Sequence, residues 1–211
     1  MLVGTADVAA LARHAPTVER YFGEPIVLRE VALFQIVMEM RRGAREAVLP
    51  PSLHPTIPPA LSMQVWQVGE SPWGAFRMAV SRVSCRSGVR ARGFTTGAAA
   101  TTEAAVAGLR GQLGYPARVA EIDAVFSYSG AGITVRDAGH ATFRASAIDP
   151  TPLDADDVQY TGTLNLAQVP TGLRLMQVEF HVEAQRVERL RARLQGFDAA
   201  AWGNERLDPY H

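Results

Sequence analysis

A two-residue hydrophobic rhythm, repeated along the chain and broken by turn residues, constrains this sequence more than any other feature. Leu61-Ser-Met-Gln-Val-Trp-Gln-Val alternates, and so does Phe76-Arg-Met-Ala-Val-Ser-Arg-Val. Side chains of a strand point alternately to opposite faces, so this period predicts strands with one buried and one wetter face. Ser87-Gly88 is a credible hairpin turn into Val89-Arg-Ala-Arg-Gly-Phe. The β-branched run over residues 26–38 reads as an earlier strand. Residues 118–128, 132–136, 141–147, 158–166 and 174–182 read as later ones, with Gly, Pro or Asp between them.

Helical signals are fewer. Residues 5–13 open on a capping Thr5 and carry apolar positions at helical spacing. Residues 41–49 read as a helical turn or two stopped by Pro50-Pro51, and the proline-dense stretch 50–59 as an extended surface connection. Residues 101–113 give the clearest helix: Thr101 can cap it, Glu103 sits where the dipole favours an anion, and Gly114 with Pro116 ends it. Gln185-Arg-Val-Glu-Arg-Leu-Arg-Ala-Arg-Leu predicts a last amphipathic helix with Val187, Leu190 and Leu194 on one stripe. Its arginines read as a solvated face. The expected architecture is mostly β (α+β), a single domain over 1–211, with peripheral helices outside an antiparallel barrel or cone.

Charge narrows the partners. The 21 acidic residues balance 21 basic ones, and every basic residue is arginine, so the chain contains no lysine. A neutral chain has no global field to draw it onto nucleic acid or an anionic membrane. Without lysine, the only primary amine is the N-terminal one on Met1, if it is free. No run approaches the roughly 18 apolar residues that span a bilayer, and no signal peptide is apparent, so a cytoplasmic protein is expected. The single cysteine, Cys85, excludes an intrachain disulfide and reads as structural rather than nucleophilic, since no histidine is near in sequence.

Reactive motifs are sparse. The five histidines at 14, 54, 140, 181 and 211 show no metal spacing, so no metal and no cofactor is expected. No Gly-x-Ser-x-Gly elbow occurs. Gly130-Ala131-Gly132 is a turn rather than a dinucleotide loop. Glu121 and Asp123 share a strand face and read as solvated rather than as an acid/base pair. Trp66, Trp73, Phe76 and Phe94, with Gln64 between them, line a pocket or form ordinary core.

The helix ending in Gln112-Leu113-Gly114-Tyr115-Pro116, followed at once by a strand, resembles the acetoacetate decarboxylase family, in which a Glu-containing helix runs into a Leu-Gly-Tyr-Pro turn. Glu70-Ser-Pro-Trp-Gly-Ala-Phe and Leu164-Asn-Leu-Ala-Gln-Val-Pro-Thr-Gly-Leu-Arg-Leu resemble other pieces of that family in the same order. The resemblance extends from about Ile26 to Val182. It implies a barrel or cone around an apolar pocket, in a homo-oligomer. The family's reaction uses a lysine whose amine is kept neutral by a cationic neighbour and attacks a ketone. Its two adjacent lysines precede Leu-Gly-Tyr-Pro, where this chain has Gly111 and Gln112. The family's Pro-Tyr-x-Glu carboxylate falls on Ala75, and Arg29-Glu30 resembles its Arg-Glu pair.

By this likeness the end of the helix meets the pocket. Gln112, Arg110 and Glu103 become the candidate catalytic groups, with Arg29, Gly111 and Tyr115 beside the aromatic residues as pocket lining. The expected function is a lysine-independent enzyme of small-molecule biosynthesis, a cyclase, isomerase or dehydratase acting on a polyketide-like or keto-acid-derived substrate. Cyclisation and pericyclic chemistry need no nucleophile, only a cavity that folds the substrate. The alternatives are a non-catalytic carrier or sensor using the same cavity, and a structural subunit.

Overall fold

A computed structural model describes residues 2–20, 23–158 and 160–210, without the side chains of Arg42 and Tyr210. The sequence expectations about Met1 and His211 therefore lie outside the described residues. The chain is mostly β. Thirteen strands run in order: β1 (Arg29–Met40), β2 (His54–Pro55), β3 (Ala60–Glu70), β4 (Phe76–Ser87), β5 (Arg90–Ala100), β6 (Ala117–Val119), β7 (Glu121–Ser127), β8 (Gly130–Asp137), β9 (His140–Leu153), β10 (Thr163–Val169), β11 (Gly172–Val178), β12 (Val187–Phe197) and β13 (Pro209–Tyr210). Helices α1 (Val8–His14), α2 (Arg42–Val48) and α3 (Glu103–Leu113), with short 3-10 turns at Ala155–Asp157 and Ala200–Trp202, complete the elements among the described residues.

The expected barrel is not closed. One nine-stranded sheet follows the order β11-β10-β5-β4-β3-β1-β13, with β2 on β4 and β6 on β5, and β7, β8, β9 and β12 form a second sheet. Among the described residues no ladder joins the ends of the large sheet. Nor is that sheet purely antiparallel, because β10 and β6 both enter parallel to β5. Parallel neighbours need a crossover, and α3 supplies the one between β5 and β6.

Alternation on the central strands separates two interiors. Leu61, Met63 and Val65 of β3, with Ala79, Val83 and Cys85 of β4, face the second sheet and meet Ile122, Ile133, Val135 and Phe143. Trp66 and Val68, with Phe76, Met78 and Val80, face the other way and pack under α3. Both faces of β3 and β4 are therefore covered, where the sequence had suggested one wetter face. The polar residues on the α3 side, Ser62 and Gln64, are buried as well.

Three further expectations are corrected. The proline stretch is only partly superficial: Pro51, Ser52, Ile57 and Pro58 are exposed, whereas Leu53 and Pro59 are buried and β2 pairs with β4. The caps shift along the chain, so that Asp7 rather than Thr5 caps α1, and Thr102 rather than Thr101 caps α3. Residues 187–197 are strand, not helix. Register shifts in the β12–β9 pairing fall between Arg189 and Arg191 and between Leu194 and Gly196. The extra residue at the second shift turns Phe197 onto the face that already carries Leu190 and Leu194, and all three pack on the core. The expected helical stripe of Val187, Leu190 and Leu194 is thus split: Leu190 and Leu194 pack on the core with Phe197, and Val187 is not part of that core.

Candidate functional site

Helix α3 forms because Thr102 accepts a hydrogen bond from the Ala105 amide at 3.2 Å and Glu103 occupies the first turn. It stops at Gly114, which takes a left-handed conformation at φ 69°. The Leu113 carbonyl, left over at the helix end, accepts a hydrogen bond from Asn165 Nδ2 of β10 at 2.7 Å. This reversal carries the next residue, Tyr115, inward until it is almost wholly buried.

Tyr115 arrives at a polar patch on the α3 face of the large sheet. In β4 the stripe Phe76, Met78, Val80 continues with Arg82, which is only 3% exposed. Arg82 lies opposite Thr95 of β5 and over Gly93, where a Cβ would come within 3.1 Å of its Cδ. Its guanidinium donates to the Thr163 hydroxyl at 2.8 Å and the Thr161 carbonyl at 3.2 Å. Burial pushes the Tyr115 hydroxyl upward in pKa, against hydrogen bonding with Thr163, the charge of Arg82 and hydrogen bonding with Asn165. Burial lowers Arg82, with the Tyr115 and Cys85 charges acting the other way.

Three polar atoms of this cluster have no hydrogen-bond partner: Arg82 Nε, Thr95 Oγ1 and Asn165 Oδ1. The lack of a counter-charge separates Arg82 from the other inward-facing arginines. Arg45 has Glu46 at 3.5 Å and Arg92 has Glu179 at 2.7 Å. Among the described residues no carboxylate pairs with Arg82, and no Asp, Glu or His is buried anywhere. An isolated charge inside a protein costs on the order of several kcal/mol. The fold therefore carries a standing penalty at this point.

The residues singled out from sequence divide into two groups. Trp66, Trp73, Phe76 and Tyr115 do come together beneath α3. Trp73 lies 5.9 Å from Phe76 between ring centroids and fills the space beside Gly108. Gln64 is buried on the same face and donates to Gln35 Oε1 at 2.5 Å. Phe94 packs on the opposite side of the sheet, in the other interior. Glu103, Arg110, Gly111 and Gln112 are exposed on α3, and Arg110 folds back to the Ala117 carbonyl at 3.1 Å. Arg29 is exposed too, 3.9 Å from Glu70. Helix geometry explains this outcome: Ala105, Gly108 and Leu109 form the buried side, leaving positions 110–112 on the other.

The aromatic residues pack as core. The two best-formed depressions, about 390 and 510 Å³, are both open; Thr101, Ala120 and Arg136 line one, Arg41 and Asp208 the other. Neither contains a residue of the expected pocket. Glu121 and Asp123 are exposed, with Asp123 paired to Arg136. Among the described residues no group of side chains could hold a metal ion, and no helix is long and apolar enough to cross a membrane.

Arg82, Thr95, Thr163 and Asn165 escaped the sequence reading. Their signal was present: a charged or amide residue standing in the buried phase of an alternating strand.

The fold has known counterparts. Acetoacetate decarboxylase from Legionella pneumophila superposes with a TM-score of 0.79 at 18% identity, over 92% of this chain and 82% of that one. The enduracididine biosynthesis enzyme MppR, complexed with pyruvate, gives 0.70 at 16% identity, over 86% and 80%. An acetoacetate decarboxylase-like enzyme from Sphingomonas wittichii RW1 gives 0.54 at 15%, over 77% and 69%. No family model matches the sequence. No curated protein matches it either. The chain thus has the acetoacetate decarboxylase-like fold, as the Leu-Gly-Tyr-Pro turn implied, and within that fold it contains no lysine.

Proposed function

We propose that this protein is a lysine-independent enzyme acting on a small molecule, with its reaction centre at the buried Arg82–Tyr115 cluster. The observation that carries the reading is the set of unpartnered polar atoms around Arg82, in a fold whose solved neighbours include two biosynthetic or decarboxylating enzymes. One of those neighbours was solved with pyruvate. The cluster offers hydrogen-bond donors, from Arg82 and the Tyr115 hydroxyl, but no carboxylate or imidazole to remove a proton. Donors of this kind stabilise negative charge developing on a substrate oxygen. They suit pericyclic cyclisation or isomerisation, in which no proton passes to the protein, of a keto-acid-derived or polyketide-like substrate held in a reactive fold. Loss of water at this cluster would use solvent as the proton acceptor.

The cluster is closed in this structure, so a substrate reaches it by displacing a neighbour. Phe180, half-buried and 5.4 Å from Trp66 between ring centroids, lies beyond the end of β11 and is the natural element to move. The test is to incubate the purified protein with small-molecule extract from its host and compare metabolite masses with and without it. The expected result is a metabolite converted to an isomer of equal mass or to a product lighter by one water, with Tyr115→Phe at least tenfold slower. A metabolite retained by the protein and released unchanged would instead establish a carrier or sensor.

A further inference from the structure

We infer that Arg82 is the anchor for a carboxylate on the ligand, which supplies the counter-charge that the chain itself does not. The inference rests on the reading of the cluster as the functional site and names the chemical class that site accepts. Several alternatives carry less. Cys85 is a lone buried thiol. The arginines of β12 are exposed on an edge strand, and Arg191 already pairs with Asp149 at 2.6 Å. Neither open depression is lined by a residue with a buried, unpartnered side-chain polar atom.

Arg82 differs from these on three independent counts. It is buried to 97% beneath a glycine, Gly93, whose missing side chain leaves room for the guanidinium to lie across β5. Its NH1 is already committed to Thr161 and Thr163, which fixes the plane of the group. Its Nε has no acceptor, so one edge of a rigid donor fork remains unused. A planar carboxylate matches that edge, and charge-assisted hydrogen bonds of this kind are about twice as strong as neutral ones. The unpartnered Thr95 Oγ1 and Asn165 Oδ1 lie on the same sheet face. The Asn165 Nδ2 bond to the Leu113 carbonyl fixes the orientation of the amide, so that its oxygen, an acceptor, is the unpartnered end. A hydroxyl or enol on the ligand satisfies it, which favours a hydroxy or enolisable acid over a simple fatty acid.

The test follows the arginine Nε–H resonances of the uniformly labelled wild-type protein by NMR during titration with acetoacetate, then with its uncharged methyl ester. Arg82→Lys assigns the signal. The expected result is a saturable shift of the Arg82 Nε–H resonance with the acid only, and binding weakened about tenfold in Arg82→Lys, which keeps charge but loses the fork. An unmoved Arg82 resonance at saturating acid, or an equal shift with the ester, overturns the inference. Binding at Arg82 without any metabolite turnover would sustain the anchor and remove only the enzymatic reading. Turnover of uncharged metabolites with Arg82 unperturbed would do the reverse.

Discussion

At the scale of single residues, the molecule is decided by which groups are buried without ordinary partners. Cys85 is one. It is fully buried beside β2 and β5, and burial pushes its thiol up to about 12. The folded state therefore keeps a proton that the unfolded chain releases above its ordinary value near 9.0. The stabilisation is fully present below pH 9 and is lost as pH climbs toward 12, by at most about 1.4 kcal/mol per pH unit. Urea unfolding at several pH values between 8 and 11 should show wild type losing stability faster than Cys85→Ala. Parallel curves would contradict the assignment. Arg82 shows what could and could not be read from residues alone. Alternation placed it on the same face as Phe76, Met78 and Val80, so its burial was legible. Its lack of a carboxylate was not, because that depends on Thr163 and Tyr115 arriving from distant parts of the chain.

At the scale of elements, strands were read well where alternation is uninterrupted and badly where a bulge intervenes. The segments that became β1, β3, β4 and β5 were legible to within a few residues at most ends. Segment β12 was not: Val187, Leu190 and Leu194 fall at helical spacing by sequence, and one extra residue after Leu194 breaks the period of two. That residue is Gln195, whose amide donates to the Ser146 hydroxyl at 3.2 Å. Deleting Gln195 should turn Phe197 away from the core and cost about 2 kcal/mol or more, by analogy with losing a large buried side chain. Gln195→Ala, which keeps the register, should cost under about 1 kcal/mol in the same denaturation measurement. Equal costs would show that the bulge does not set the register. Helix α3 was also legible, caps apart. Its orientation was not: Ala105, Gly108 and Leu109 face the core, which leaves Arg110 and Gln112 exposed.

At the scale of the whole molecule, the fold is shared with solved counterparts at 15–18% identity. In this chain it is built from an alternating sheet buried on both faces, a crossover helix, and a left-handed glycine that turns Tyr115 inward. None of them requires lysine. Among the described residues the interior holds aromatic rings and an arginine without a carboxylate partner. Under the function proposed above, charge stabilisation by donors takes the place of covalent attachment through an amine. The most direct test of that claim is reductive trapping. The folded protein is treated with borohydride in the presence of acetoacetate, and its peptides are then mapped by mass. The account predicts no adduct on any internal residue, whatever happens at the terminal amine. A stable adduct at an internal position would contradict it.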